Sequence, residues 1–213
     1  MRFLIDKGAN DILAKRAKHP DFVAGQLLTP LTRFSNGGGM FAIDNGAFSG
    51  FDANGFRSLL AREEANKGEC LFVTVPDVVG NARRTLELWN HRERFVKDWP
   101  LAFVAQDGVE DLEIPWAGMA AVFIGGRDPW KDSQASLDIV KTAKTLGLHV
   151  HVGRVNNAKR FRLFAEAGAD TCDGSGIAMY DHMLDSLVRE MRGVPETTLF
   201  DGMDDRLDVM YCR

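Results

Sequence analysis

Acidic and amide side chains recur in one kind of place along this chain, directly after a short apolar run. Met40–Ile43 is followed by Asp44-Asn45-Gly46-Ala47-Phe48, Cys70–Val75 by Pro76-Asp77, and Leu101–Ala105 by Gln106-Asp107-Gly108. Ala121–Ile124 leads into Gly125-Gly126-Arg127, Leu148–Val152 into Gly153-Arg154, and Asp170–Cys172 into Asp173-Gly174. A carboxylate at a strand end is held rigidly yet opens onto a pocket, and a neighbouring glycine lets a ligand approach the backbone. Carboxylate and carboxamide groups beside backbone amides match the exocyclic amine, ring N–H and carbonyl of a purine edge. Phe48 offers the flat apolar face on which a flipped base stacks. Phosphate is the rival ligand, because Gly125-Gly126 with Arg127, or Gly153-Arg154, can cradle one. Three aspartates in one pocket would repel it unless a metal intervened, and the sequence holds no clear metal-binding cluster. Taken singly, each feature has a plainer reading: Asp173 can cap the next helix, and Gly125-Gly126 can be a tight turn. Six such strand ends in succession favour an enzyme.

Bringing these groups together requires a sheet whose strand ends share one face. Eight short apolar segments read as strands, the six above together with Arg2–Ile5 and Thr197–Phe200. Several are continuous apolar runs, the mark of parallel strands covered on both faces. Helical stripes lie between most of them: Phe56, Leu59 and Leu60; Leu86, Trp89, Phe95 and Trp99; Leu137, Val140, Ala143 and Leu146; Leu184, Leu187, Val188 and Met191. These stripes are core faces. A further helical pattern runs from Lys159 to Gly168, and another begins near Ile177. Such alternation leaves an open doubly wound sheet or a closed (β/α)8 barrel. Eight strands favour the α/β TIM barrel, which would gather all six polar strand ends on its C-terminal face. At 213 residues the chain is short for that fold, so some helices must be brief or replaced by loops. It reads as a single domain over 1–213. Gln26–Gly39, with Pro30 and the Gly37-Gly38-Gly39 run, reads as a mobile loop before the second strand.

A net charge of -4 gives no global sign of nucleic-acid binding, although a basic groove on an acidic protein stays open. Arg154, Lys159, Arg160 and Arg162 are the candidates for gripping a nucleic-acid backbone, against the plainer reading of a solvated helix face. Cys70, Cys172 and Cys212 form neither a C-x-x-C pair nor a cluster with histidine, which argues against disulfides and zinc and for a reducing, cytoplasmic setting. The opening Met-Arg-Phe-Leu-Ile-Asp has no signal-peptide character, and no apolar run approaches the roughly 20 residues that span a bilayer.

The motifs together resemble the tRNA-guanine transglycosylase superfamily, (β/α)8 enzymes that exchange a guanine in nucleic acid for a 7-deazaguanine. Asp44-Asn45-Gly46-Ala47-Phe48 is similar to that family's Asp-Ser-Gly-Gly-Phe/Tyr motif, and Pro76-Asp77 to its second aspartate site. Val104-Ala105-Gln106-Asp107-Gly108 resembles its Val-Gln-Gly-Gly, Phe123-Ile124-Gly125-Gly126 its Gly-Gly-Leu turn, and Asp170-Thr171-Cys172-Asp173 its Asp-x-Phe-Asp nucleophile segment. The match runs in order from about Phe41 to Gly176. The family's C-terminal Cys/His zinc subdomain has no counterpart, Arg127 replaces a leucine, and Gly174-Ser175-Gly176 replaces Val-x-Pro-Thr-Arg. Val152-Gly153-Arg154-Val155-Asn156-Asn157 with Asp173-Gly174-Ser175 is closer to the branch that inserts deazapurines into DNA in phages and bacterial genomic islands.

This resemblance implies a pentosyltransferase that replaces guanine in DNA by a base such as 7-cyano-7-deazaguanine. Asp173 would be the nucleophile and Asp44 the general acid and base. Asp77, Gln106 and the Gly126 amide would read the base edge, with Gly125 and Arg127 in the same turn, and Phe48 would stack on it. No cofactor or metal is called for. The expected partners are DNA (tRNA in the alternative), the free deazaguanine, and a second copy or an accessory modification protein, in the cytoplasm of a bacterium or phage-infected host. A base or nucleoside hydrolase, a noncatalytic partner subunit and an unrelated phosphate-binding barrel remain as alternatives.

Overall fold

The computed structural model describes residues 1–31, 36 and 39–193. Eight parallel strands close into a barrel in sequential order: β1 (Arg2–Ile5), β2 (Val23–Leu28), β3 (Phe41–Ile43), β4 (Cys70–Thr74), β5 (Leu101–Ala105), β6 (Ala121–Ile124), β7 (His149–Val152) and β8 (Thr171–Cys172). The ring closes where Arg2 and Phe3 pair with Thr171 and Cys172. Around it run α1 (Ala9–Lys18), α2 (Ala53–Glu63), α3 (Ala82–Trp89), α4 (Gln134–Thr145), α5 (Ala158–Ala167), α6 (Ser175–Met179) and α7 (Asp181–Met191). Between β5 and β6 a single 3-10 turn, Val109–Asp111, stands in for a helix, which is one way a short chain completes this fold. Among the described residues, no helix is long and apolar enough to cross a membrane, and no group of three or more His, Cys, Asp or Glu is placed to hold a metal ion.

The strand set differs from the sequence expectation in one member. Thr197–Phe200 lies outside the described residues, and the remaining stave is β2, whose last three residues fall in the stretch expected to be loop. All six β2 residues are buried. Gly25 and Gln26 disguise it, and both have a structural reason. A Cβ on Gly25 would lie 2.0 Å from the Met40 carbonyl oxygen. The Gln26 side-chain amide donates to the Lys7 carbonyl at 2.6 Å, so the buried amide is satisfied. Likewise α3 ends at Trp89, and Phe95 and Trp99 reach the core from the irregular segment that follows.

Capping side chains mark the entries to four helices: Asp52 accepts from the amides of Asn54 and Gly55, and Asn81, Ser133 and Asn157 do the same for α3, α4 and α5. Large apolar residues fill the layer between strands and helices, including Phe3, Val122, Val140, Phe161 and Leu187. Inside the barrel the packing alternates small with large, Ala42, Ala102 and Ala121 against Phe72 and Phe123. Side chains on a strand alternate faces, so the residue two places past an inward core residue points into the barrel mouth. Ala42 thereby places Asp44, Val104 places Gln106, Phe123 places Gly125, and Thr171 places Asp173.

Candidate active site

All eight strands, or the residues just past their ends, contribute to a cleft of about 390 Å3 at the C-terminal face, within the range of small-molecule sites. Leu4, Leu27, Val104 and Phe123 give it an apolar lining, while Asp6, Asp44, Asp77, Gln106, Arg154 and Asp173 supply polar groups.

Two donors fix the Asp173 carboxylate. His151 Nε2 lies 3.0 Å from Oδ2, and the Arg154 backbone N–H donates to Oδ1 at 3.1 Å. Arg154 takes a left-handed φ of 60°, uncommon outside glycine, and this turn aims its amide at the carboxylate. Burial by itself would raise the acid. The His151 hydrogen bond, the Arg154 amide and the Lys131 ammonium outweigh it and hold Asp173 below the usual carboxylate range. Lys131 is fully buried and donates to the Gly153 carbonyl at 2.7 Å; burial, with the Arg154 charge, lowers it to about 7. Asp173 does not cap α6, whose N-cap is Gly174. Gly174 is required there, because a Cβ would fall 2.3 Å from the Val155 carbonyl oxygen.

Asp44 is perturbed the other way. Burial raises it to about 7, and the neighbouring Asp173 and Asp77 charges add to the shift; a Gly46 amide and the Thr74 hydroxyl, both at 3.3 Å, oppose it weakly. One cleft thus holds an ionised carboxylate and a carboxyl that keeps its proton to about neutrality, the separation that lets two acids take different roles. Beside them Asp77 accepts from Asn45 Nδ2 at 2.9 Å and Gln106 Nε2 at 2.7 Å. Burial still leaves Asp77 above its ordinary pKa. Gln106 Oε1 takes the Gly80 amide at 2.9 Å. Asn45, wholly buried, also donates to the Val75 carbonyl and accepts from the Ala47 amide, and it locks the β3 loop to the β4 loop.

Asp44, Phe48, Asp77, Gln106, Gly125, Arg154 and Asp173 all line the cleft; Gly126, Arg127, Lys159 and Arg160 are not among its lining residues. The Gly126 N–H donates to the Ala105 carbonyl at 3.1 Å, so it is not presented to a ligand, and a Cβ there would strike the Trp130 ring at 2.1 Å. Arg127 lies over Gly80 with its guanidinium 3.8 Å from Asp107, to which its own amide also donates. Phe48 stands 64% exposed at the mouth, and the Arg154 guanidinium sits over its ring at 4.6 Å while donating to the Gly125 and Gly126 carbonyls at 3.2 and 2.8 Å. Arg154 therefore straps the mouth. Arg160 pairs with Asp128 and Asp132 at 2.6 and 2.7 Å, and Arg162 with Glu190 at 3.2 Å. Lys159 is exposed. The expected cationic groove is largely neutralised by the protein's own carboxylates.

The sequence reading assigned no part to His151, Thr171, Thr74 or Lys131. A signal for two of them was present: His149 and His151 are two apart on one strand, as Thr171 and Asp173 are on the next, and this spacing puts all four inside the barrel. Lys131, in a turn beyond β6, had none.

No protein-family model matches this chain, and no curated protein matches it. Among solved structures it is similar to a putative glycerophosphoryl diester phosphodiesterase from Silicibacter pomeroyi, with 16% identity and a TM-score of 0.44 over 71% of this chain and 51% of that one. The chain thus spans about half the length of that structure.

Proposed function

We propose that the cleft binds a guanine-type base of a nucleic acid and that the protein exchanges it for a 7-deazaguanine, with DNA as the polymer. The observation that carries the reading is the opposite perturbation of two acids in one cleft, Asp173 lowered and Asp44 raised to about 7. The motif resemblance supplies the reaction class, and four aspartates against one guanidinium favour a neutral ligand rich in donors over a phosphate. Asp173 attacks the anomeric carbon; the bond to guanine breaks, and Asp44 gives its proton to the departing base. The glycosyl ester is then attacked by the incoming deazaguanine nitrogen, whose proton passes to Asp44 as Asp173 leaves. Two inversions retain configuration, the logic of retaining glycosidases with a base in place of water. Asp77, held by Asn45 and Gln106, faces the donors of the base, and Phe48 offers the stacking face.

The test is expression in a bacterium that makes 7-cyano-7-deazaguanine, with DNA and tRNA digested separately and their nucleosides analysed by mass spectrometry. A deazapurine deoxynucleoside found with wild type and lost with Asp173→Ala is the expected result. Modified tRNA alone would reassign the polymer, and no modified nucleoside in either would overturn the exchange reading. A second reading, hydrolysis of the Asp173 ester by water, is favoured by the internal pairing of Arg160 and Arg162, which leaves little cationic surface for a polymer. Base-free sugar without incorporation would establish it.

A further inference from the structure

Beneath Asp173, β7 and β8 carry a file of polar side chains through a barrel interior packed mainly with apolar residues. His149 Nε2 lies 2.8 Å from the Thr171 hydroxyl, that hydroxyl lies 2.9 Å from His151 Nδ1, and His151 Nε2 lies 3.0 Å from Asp173 Oδ2. The register pairs His151 directly with Thr171. His151 is fully buried, with the Phe123 and Phe72 rings 4.7 and 5.1 Å away. At the lower end, Asp170 accepts from Lys144 Nζ at 2.7 Å and lies 3.9 Å from His149 Nδ1. An imidazole in such a place is costly unless its nitrogens are hydrogen-bonded, and an aliphatic residue would fill the same space more cheaply.

The donors and acceptors allow two arrangements, and the fate of Asp173 in the reaction decides between them. Ionised Asp173 can only accept, so His151 Nε2 carries a proton. Thr171 has one hydroxyl proton for two imidazole neighbours. Burial lowers His149 to about 4, so at neutral pH it is uncharged. When His149 gives its Nε2–H to Thr171, Thr171 gives its own proton to His151 Nδ1, and His151 is neutral. A His151 cation would be stranded in the barrel whenever Asp173 became an uncharged ester, a costly state for a buried charge.

We infer that His151 is the positioning residue of the nucleophile, its tautomer fixed by Thr171 and, through Thr171, by His149. This rests on Asp173 being the nucleophile. The His151 Nε2–H and the Arg154 amide hold one carboxylate oxygen each and stop its rotation. One oxygen forms the bond to the anomeric carbon as the bond to the base breaks, and the other becomes the ester carbonyl and keeps its donor. The imidazole stays neutral throughout. The titratable groups facing Asp173 are His151 on β7, Arg154 after β7, Lys131 after β6, Asp44 after β3 and Cys172 on its own strand. Thr171→Val leaves all of them in place and removes the hydroxyl links to the two histidines.

The experiment is nitrogen NMR of the imidazoles and carbon NMR titration of Asp173 in substrate-free protein, with guanine-exchange kinetics alongside. Wild type is expected to show His151 as the neutral Nε2–H tautomer. In Thr171→Val the tautomers mix, Asp173 titrates at higher pH and the acid limb of the rate profile moves up with it. The kcat falls roughly 10- to 100-fold, as when an outer hydrogen-bond partner of a reactive group is lost, at unchanged KM, and Thr171→Ser restores all of these. A wild-type His151 that is cationic or Nδ1-protonated overturns the inference and needs no variant to fold. An unmoved Asp173 titration in folded Thr171→Val also overturns it. Wild type without exchange activity counts against the nucleophile reading, while the spectra still decide the relay.

Discussion

Asp44 and Asp173 face one cleft with opposite perturbations, so pH separates their roles. In the proposed exchange, base departure needs Asp173 ionised and Asp44 protonated; kcat/KM should fall as pH rises through about 7 and fall again on the acid side only below the ordinary carboxylate range. Rate profiles of labelled-guanine exchange check both limbs. The same shift bears on stability. Folded Asp44 keeps its proton to about pH 7, whereas the unfolded group releases it near 3.8; between these values the folded state binds more protons, and stability drops as pH rises. A shift of about three units sets an upper limit of about 4 kcal/mol, less wherever water reaches the carboxyl in the open cleft. Asp44→Asn should therefore lose activity yet gain stability relative to wild type at pH 8 compared with pH 5, read from urea unfolding at both. At this scale the sequence was informative where a polar residue ended an apolar run, as Asp44, Asp77, Gln106 and Asp173 do. It was silent for Lys131 and for the committed amide of Gly126, whose partners are assembled by the fold.

Strand β2 shows what the elements withheld. Its Gly25 and Gln26 hid it, because glycine is disfavoured inside a strand and a glutamine breaks the apolar run, yet the close approach of the Met40 carbonyl demands one and the Lys7 carbonyl satisfies the other. Gly25→Ala should force β2 away from Met40, whose oxygen also accepts the Gln26 amide at 3.2 Å. The expected cost is about 1–3 kcal/mol, as for other overpacked sites, measurable as a lower urea midpoint. Strands β1 and β3 through β8 were legible from short apolar runs, within a residue at their ends. The capped helices were legible from their stripes, although Leu146, counted in one stripe, is 52% exposed.

Around the barrel, the arginines that follow β7 are held within the protein itself. Arg160 and Arg162 are held by Asp128, Asp132 and Glu190, and Arg154 is folded over Phe48. Each phosphate neutralised on duplex DNA adds about −0.9 to the slope of log K against log salt, so the expected slope is on the order of −1 to −2. Fluorescence anisotropy with a labelled duplex between low and moderate salt measures it; a slope near −4 or steeper would mean that these arginines leave their carboxylates on binding.

The stave that closes the ring is two residues long, pairs with the first strand of the chain, and bears Asp173 at its end. That contact joins positions about as far apart in sequence as the barrel allows, and such contacts form late because the intervening chain must first be gathered in. A growing polypeptide on the ribosome accordingly has no completed cleft until nearly the whole barrel has been made. On the proposed reading, competence arrives together with the last stave, and no half-built form attacks a polynucleotide.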